Sequence, residues 1–234
     1  MKIVSLNIGK RQEQPWRDGT LTAIHKQSIT EKVWVNESGL DGDEQADLIH
    51  HGGVDKAILV LPSNAYMRFE IEHPYGFLGE NLTIDDIDDI DDIDDIDEAE
   101  VCIGDRLQIG SVLLEVTQPR SPCWKLDAQV TEDSKWQAGG FLKAYSDSGR
   151  VGFYCRVLAE GWLKEGQSVR WLTRNDEIES FSKISIQSLF LAKLKHTDEQ
   201  AWRLLSLAVK HPSLSKAWRN DLQGMLERHV RQNS

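Results

Sequence analysis

Apolar and polar residues alternate along the first two-thirds of the chain in short segments that are typical of β-strands. The clearest is the apolar run Ala57–Leu61, which Pro62 closes as expected for a buried strand. The other strand-like segments are residues 1–8, 20–35, 106–109, 112–117, 152–158 and 169–172. A helix is predicted at Asn64–Glu72. Because glycines separate many short strands, the pattern favours a mainly β fold, a closed β-barrel with a few helices, over a doubly wound sheet.

The pattern changes to a helical one after about Arg174, where glycine and proline become rare. The predicted helices are Ser182–Leu194, Asp198–Val209 and Ser213–Arg231. The second begins at an aspartate cap and carries apolar residues at i, i+3, i+4 and i+7 spacing. Helices this short need packing partners to be stable. The sequence therefore predicts a β-barrel domain at residues 1–175 and a small α-helical bundle at residues 182–234.

The acidity of the chain comes from one low-complexity segment. The formal net charge is −11, and residues 84–97 repeat Ile-Asp-Asp with nine aspartates, which leaves −11 + 9 = −2 for the rest. A calcium loop would space its oxygen ligands around a glycine, and this repeat has none. We interpret the repeat as an expansion in a surface loop, since added loop length costs little. A rise in melting temperature with calcium or magnesium that deletion of residues 85–96 abolishes would contradict this interpretation.

Cysteine content and the lack of targeting signals bound the environment of the protein. The three cysteines are widely spaced and form no CxxC pair, so no zinc knuckle or iron–sulfur motif is present. The N-terminus has no secretory h-region, and no apolar run approaches the roughly 20 residues that span a bilayer. Without a basic stripe, nucleic-acid binding is not expected either. We expect a cytoplasmic protein that binds no membrane; a homodimer is one assembly that the sequence leaves open.

A first candidate for function is the His50-His51-Gly52-Gly53 segment, which precedes the strand at Ala57. Bare glycine N–H groups can hold an anion such as phosphate, Lys56 could add positive charge, and either histidine could donate a hydrogen bond. The alternative is a tight turn in which one histidine caps backbone groups. A second segment, Gly79-Glu80-Asn81-Leu82, is by itself more typical of a simple turn.

The strongest candidate is Cys123 in the segment Gln118-Pro-Arg-Ser-Pro-Cys-Trp-Lys, which follows a predicted strand. Two prolines stiffen this segment, and Arg120 and Lys125 place positive charge near the thiol, which favours the thiolate. A rigid thiolate among cations can be a soft metal ligand or a nucleophile. Cys102 and Cys155 lie in apolar contexts and are expected to be buried hydrophobes.

Together these motifs resemble the MOSC family, the domain found at the C-terminus of molybdenum cofactor sulfurases. His-His-Gly-Gly, Gly-Glu-Asn-Leu, the Val101–Asp105 segment and Gln-Pro-Arg-Ser-Pro-Cys occur in the family's order. The helical tail is similar to that of its YiiM-like bacterial subgroup. The Ile-Asp-Asp repeat departs from the family pattern directly after Gly-Glu-Asn-Leu-Thr, and puts the geometry around Glu80 and Asn81 in doubt.

The resemblance implies a MOSC-type β-barrel that binds a molybdopterin-type molybdenum cofactor, with Cys123 as metal ligand and catalytic centre. It implies reduction of N-hydroxylated compounds, such as 6-hydroxylaminopurine, to the amine. The residues that match the family's cofactor-binding motifs, or lie beside them, are His50, His51, Gly52, Gly53, Lys56, Glu80, Asn81, Arg120, Ser121 and Lys125. Of these, Arg120, Ser121 and Lys125 are candidates for the cofactor's phosphate or pterin edge.

The chain offers no second redox centre, since it has neither an iron–sulfur cysteine set nor a Rossmann fingerprint. Electrons are then expected from a separate donor protein, a flavin-containing reductase. Two rival functions stay open at this point. One is a carrier or sulfur-transfer protein that uses Cys123 without redox turnover, and the other is an interaction module that docks through its helical tail.

Overall fold

A computed structural model of the chain describes residues 1–46, 52–85, 97–132, 135–172 and 183–232. The strands within these ranges are β1 (Lys2–Gly9), β2 (Gln12–Gln14), β3 (Thr20–Thr22), β4 (Lys26–Ser28), β5 (Val33–Asn36), β6 (Gly39–Leu40), β7 (Ile58–Pro62), β8 (Leu82–Asp85), β9 (Arg106–Ile109), β10 (Val112–Pro119), β11 (Phe153–Ala159), β12 (Gly161–Leu163) and β13 (Arg170–Leu172). The fold is therefore mainly β, as the sequence predicts.

The main sheet has eight strands in the order β13-β9-β10-β11-β7-β8-β1-β4. Neighbouring strands are antiparallel except β7 and β8, which run parallel. Among the described strands, β13 and β4 are the two edges of this sheet, so closure into a barrel stays a prediction. Backbone hydrogen bonds from Val169 to Met1 (2.9 Å) and from Ile3 to Gln167 (3.0 Å) nevertheless place the start of β1 beside the segment that leads into β13.

The apolar core of the protein lies at the centre of the main sheet. All five residues of β7 are buried, which explains the continuous apolar run read from the sequence. Four further strands, β1, β8, β9 and β10, add fully buried side chains to the same core: Ile3, Leu6, Leu82, Ile84, Leu107, Leu114 and Val116. Smaller sheets, β12-β5-β6 and β2-β3, flank this core.

Three helices lie between the strands: α1 (Asn64–Arg68), α2 (Trp124–Glu132) and α3 (Gly140–Ser148). Helix α1 is shorter than the predicted Asn64–Glu72, because Glu70 adopts a φ of +53° and ends it. The sequence pattern does not predict helices α2 and α3. Each buries only one i, i+4 pair of large apolar side chains, Leu126 with Val130 and Phe141 with Tyr145, which is a weak periodic signal.

The C-terminal helices are α4 (Ile186–Lys195), α5 (Glu199–Lys210) and α6 (Lys216–Gln232). The Asp198 side chain accepts a hydrogen bond from Ala201 N at 2.8 Å, so the predicted cap of the middle helix is confirmed. None of the helices within the described ranges is long and apolar enough to cross a membrane.

Hydrogen bonds join the helical tail to the main sheet and to the segment that precedes β7. Ser215 N donates to Thr117 O at 3.1 Å, and Lys216 N donates to Asp55 Oδ2 at 2.8 Å. Arg156 in β11 adds a hydrogen bond to Ser213 O at 2.9 Å. The tail is thus joined to the end of β10 that carries the cysteine segment, and the division into two domains near residues 175–182 stays a prediction.

Candidate active site around Cys123

Cys123 lies where the chain leaves the sheet and enters helix α2. Its carbonyl accepts the first hydrogen bond of the helix, from Leu126 N at 3.1 Å, so Cys123 is the N-cap residue. The side chain is half-buried. Upstream, Arg120 N donates to Gly152 O at 3.0 Å, which extends the β10–β11 pairing beyond Pro119. A sulfur at a helix N-terminus lies near positive partial charge, which stabilises a thiolate there.

A β-bulge sets the direction of the residues that precede the cysteine. The register of β10 on β11 shifts between Val116 and Gln118, so Thr117 has no partner in the ladder. The Thr117 hydroxyl instead donates to Asp55 O at 2.6 Å or Tyr154 O at 3.0 Å. Bulges of this kind bend a strand and redirect the side chains that follow. Three of the residues that follow the bulge, Arg120, Ser121 and Cys123, line a cavity beside α2.

The cavity brings several of the predicted site residues together. Of the cofactor-binding candidates, it is lined by Gly52, Asn81, Arg120, Ser121 and Lys125, with Cys123 among them. Its volume is about 110 Å³, whereas small-molecule pockets usually measure roughly 300 Å³ or more. The cavity bounded by the described residues can therefore hold only part of a ligand of cofactor size.

Arg120 is the most buried cation of the site, with 6% of its surface exposed. Burial alone would lower its pKa, but Tyr145, Tyr154, Cys123 and Glu80 raise it overall, so the guanidinium stays charged. Its buried Nη1 atom makes no hydrogen bond to any of the described residues. A buried charge-bearing donor without an acceptor is costly, so this atom indicates a place for an anion.

A second cation, Lys26, was not identified from the sequence. It lines the cavity and forms an ion pair with Asp43, and both side chains are less than one-tenth exposed. Asp43 also accepts hydrogen bonds from Gly9 N at 2.7 Å and Asn81 Nδ2 at 2.9 Å. Burial lowers the pKa of Lys26, and Asp43 opposes that shift. The two residues lie 17 positions apart in unremarkable surroundings, so only the fold could reveal the pair.

Glu80 lies behind the cavity rather than in its wall. Its Oε1 atom accepts hydrogen bonds from Tyr66 OH (2.8 Å), Gly76 N (2.7 Å) and Thr83 Oγ1 (2.9 Å). Burial raises the pKa of this carboxyl group. Glu80 therefore holds the turn that presents its neighbour Asn81, and among the described contacts its role is structural.

The His-His-Gly-Gly segment is only partly described. His50 and His51 lie outside the described residues, so their predicted roles stay predictions. Gly52 lines the cavity, whereas Gly53 and Lys56 are not part of its described lining. Lys56 N instead donates to Gly53 O at 2.8 Å in a short 3₁₀ helix, Val54–Lys56.

The remaining cysteines and the acidic repeat lie apart from the cavity lining. Cys102 and Cys155 are buried, as predicted, and burial raises the pKa of the Cys155 thiol. Most of the repeat, residues 86–96, lies outside the described residues. At its C-terminal end Asp97 forms an ion pair with Arg150. Within the described ranges, no group of three or more His, Cys, Asp or Glu side chains could hold a metal ion.

Comparison with known proteins connects this site to a family. The MOSC domain family matches residues 47–170, more than half of the chain. The chain is 31% identical over 222 residues to the uncharacterized protein YflK of Bacillus subtilis, covering 93% of this chain and 90% of that protein. It is 32% identical over 180 residues to a protein of Gibberella moniliformis named reductase, covering 74% of this chain and 29% of that protein.

A solved structure covers nearly the whole chain. The crystal structure of YiiM from Geobacillus stearothermophilus superposes with a TM-score of 0.68 at 27% sequence identity. The alignment spans 96% of this chain and 98% of that one. The likeness therefore includes the C-terminal helices, which lie beyond the residues that the MOSC domain family matches.

Proposed function

Because the chain belongs to the MOSC domain family, we propose that it is an oxidoreductase that binds a molybdopterin-type molybdenum cofactor and reduces N-hydroxylated compounds to amines. The observation that carries the proposal is the position of Cys123 at a cavity where the buried Arg120 Nη1 has no acceptor among the described residues. The fungal relative named reductase supports the reaction class.

The residues of the cavity fit such a cofactor. A thiolate is a soft ligand suited to molybdenum, and one protein thiolate is enough because the cofactor brings its own sulfur ligands. The cofactor's phosphate is an anion, and Arg120 and Lys125 line the same cavity, as does Lys26 in its ion pair with Asp43. An arginine fork matches phosphate oxygens in geometry as well as in charge. Cys123 would hold the metal, and Arg120 would hold the phosphate.

The proposed reaction consumes two electrons and two protons: R–NHOH + 2e⁻ + 2H⁺ gives R–NH₂ + H₂O. When bound, the cofactor supplies the two-electron chemistry. The protein orients the substrate and supplies a proton to the oxygen that leaves as water. Lys26 Nζ is the cavity-lining group suited to hold that proton, because burial lowers its pKa and the ion pair with Asp43 opposes that shift. A flavin-containing reductase is the proposed electron donor.

The metal content of purified protein tests the ligand role of Cys123. Wild type, Cys123→Ser and Cys102→Ser are purified from a host that makes the cofactor, and molybdenum per chain is measured. Cys102→Ser is the matched control, because serine can keep the hydrogen bond from this position to Glu100 O. We expect molybdenum in wild type and Cys102→Ser, and a loss of at least tenfold in Cys123→Ser. Equal molybdenum in all three proteins contradicts the assignment.

Turnover tests the enzyme proposal against the carrier alternative. Cofactor-loaded wild type with a chemical reductant is expected to convert 6-hydroxylaminopurine to adenine, and Cys123→Ser is not. A loaded wild-type protein that shows no turnover, but passes cofactor or sulfur to an acceptor, would be a carrier instead.

Two finer predictions accompany the proposal. A cytoplasmic location is supported by the three cysteines, which are thiols rather than disulfides. Closure of the main sheet into a barrel is supported by the hydrogen bonds between β1 and residues 166–169.

A further inference from the structure

The C-terminal helical tail contacts the main sheet at the bulge that precedes the cysteine segment. Thr117 is the bulge residue; it is fully buried and has no partner in the register of β10 and β11. Its carbonyl accepts a hydrogen bond from Ser215 N in the tail at 3.1 Å. Because buried backbone groups need hydrogen-bond partners, the tail stabilises the bulge directly.

Asp55 forms a second link between the tail and the bulge. One of its carboxylate oxygens accepts a hydrogen bond from Lys216 N at 2.8 Å, and the other forms an ion pair with Arg156 at 2.9 Å. Its backbone carbonyl accepts a hydrogen bond from the Thr117 hydroxyl at 2.6 Å. Lys216 is the first residue of α6, so the carboxylate also lies at the positive end of a helix. One residue thus joins the start of α6, strand β11 and the bulge.

The tail segment that makes these contacts is itself held by hydrogen bonds. Ser215 is fully buried although it is polar, and its hydroxyl oxygen caps α6 by accepting from Trp218 N at 3.1 Å. The Arg219 guanidinium donates to the carbonyls of His211 (2.8 Å) and Leu214 (3.0 Å). These bonds offset the cost of burying polar groups at the junction of tail and sheet. The tail therefore presents the N–H groups at the start of α6 to the sheet in a fixed arrangement.

The residues of this junction are close in the chain to residues that line the cavity. Gly52, which lines the cavity, precedes Asp55 by three positions, and Arg120 follows Thr117 by three. A bulge bends its strand, so the conformation at Thr117 sets the direction in which the next residues leave the sheet. The bulge therefore lies between the contact with the tail and the segment that carries Arg120.

We infer that Asp55 is a positioning residue, which uses the docked tail to fix the bulge and thereby holds the cysteine segment in the conformation that binds the cofactor. The MOSC domain match ends at residue 170, so the tail would complete a site whose ligands lie outside the tail. Where it concerns the cofactor, this inference rests on the proposed function.

Two pairs of substitutions test the inference, each with one contact variant and one control variant. Asp55→Ala removes the carboxylate from the junction. Its control is Asp198→Ala, because Asp198 also accepts a backbone N–H at 2.8 Å but caps α5 within the tail itself. The second pair, Lys216→Pro and Glu199→Pro, replaces the first residue of α6 and of α5. Proline suits this helix position, but in Lys216→Pro its ring takes the place of the N–H that Asp55 accepts.

Amide hydrogen exchange in cofactor-free, full-length protein measures whether the tail acts on the cysteine segment. Ser215 N reports on the junction. Two amides report on the segment: Arg120 N, which donates to Gly152 O at 3.0 Å, and Leu126 N, which donates to Cys123 O at 3.1 Å. We expect both contact variants to raise exchange at all three amides about threefold to tenfold, as for the loss of one hydrogen bond. Both control variants should leave the two amides of the segment unchanged.

Molybdenum content connects the junction to the cofactor. When the proteins are made in a host that produces the cofactor, the contact variants should retain about threefold to tenfold less molybdenum per chain than wild type. The control variants should retain the wild-type amount. If wild type itself holds no molybdenum, the proposed function fails, and hydrogen exchange alone decides whether the tail holds the cysteine segment.

Three results would overturn the inference. The first is unchanged exchange at Arg120 N and Leu126 N in the contact variants, whether or not Ser215 N exchanges faster. The second is an equal rise at these two amides in the contact and control variants, which would show a general loss of stability. The third is a wild-type molybdenum content in the contact variants when wild type holds the metal. Lys216→Pro decides the question if Asp55→Ala does not fold.

Discussion

Gly79 lies at the turn before Asn81, and an added methyl group there would press on the cavity wall. Its φ is +86°, and a Cβ built at this position lies 2.9 Å from Ile24 Cγ1 and 3.4 Å from Arg120 Nη2. Gly166 provides a matched control. Its φ is +83°, and a Cβ there meets no atom of the described residues within 4 Å.

The two substitutions, Gly79→Ala and Gly166→Ala, share their backbone cost and differ in their contacts. Alanine in a left-handed conformation costs about 1–2 kcal/mol, and the stiffer unfolded chain offsets about 0.4–1 kcal/mol of that. Crowding of a packed wall adds about 1–3 kcal/mol, and it applies only to Gly79→Ala. We therefore expect Gly79→Ala to lower the free energy of unfolding by about 1–3 kcal/mol more than Gly166→Ala.

Urea unfolding of both variants, in protein from a host without the cofactor, measures this difference. The site provides a second readout. Because the new methyl group presses on Ile24, which lines the cavity beside Arg120, Gly79→Ala should also retain less molybdenum when it is made in a host with the cofactor, whereas Gly166→Ala should retain the wild-type amount. Equal losses in the free energy of unfolding of the two variants would refute the reasoning, because the contact between the new methyl group and Ile24 would then cost no energy.

Three further predictions test the buried charges of the site. Burial raises the pKa of Glu80 above 4.5, so the folded state binds this proton more tightly than the unfolded state does. The free energy of unfolding of wild type should therefore fall relative to that of Glu80→Gln as pH rises above 4.5. A relative rise, measured by urea unfolding, would contradict this. Arg120→Met should lower molybdenum content at least tenfold, because it removes the buried guanidinium whose Nη1 has no acceptor among the described residues. Retained molybdenum would exclude Arg120 as the phosphate ligand. Lys26→Met should lower the free energy of unfolding by about 3–5 kcal/mol, because it leaves the carboxylate of Asp43 buried without its cation. Adding Asp43→Asn in the same chain should restore part of that loss. If the losses of the two single variants simply add in the double variant, the two residues are not coupled.

Much of the sheet was predictable because its signal is local. The strand at Arg106–Ile109 was predicted with its observed bounds, and the buried run before Pro62 is β7. The cap at Asp198 was predictable for the same reason, since a cap depends on residues within one turn. Helix α2 is not predicted from the sequence, because its buried apolar residues, Leu126 and Val130, are too few to form a period.

The cysteine segment, the order of the motifs and the change from strands to helices can be read from the order of residues, because each of these depends on neighbours in the chain. Which charges share the cavity depends on the fold. The fold pairs Lys26 with Asp43, places Glu80 outside the cavity lining, and packs Trp16 edge-on against Trp124. Such pairings join residues far apart in sequence, and their energies arise from burial, which no local pattern of residue types records.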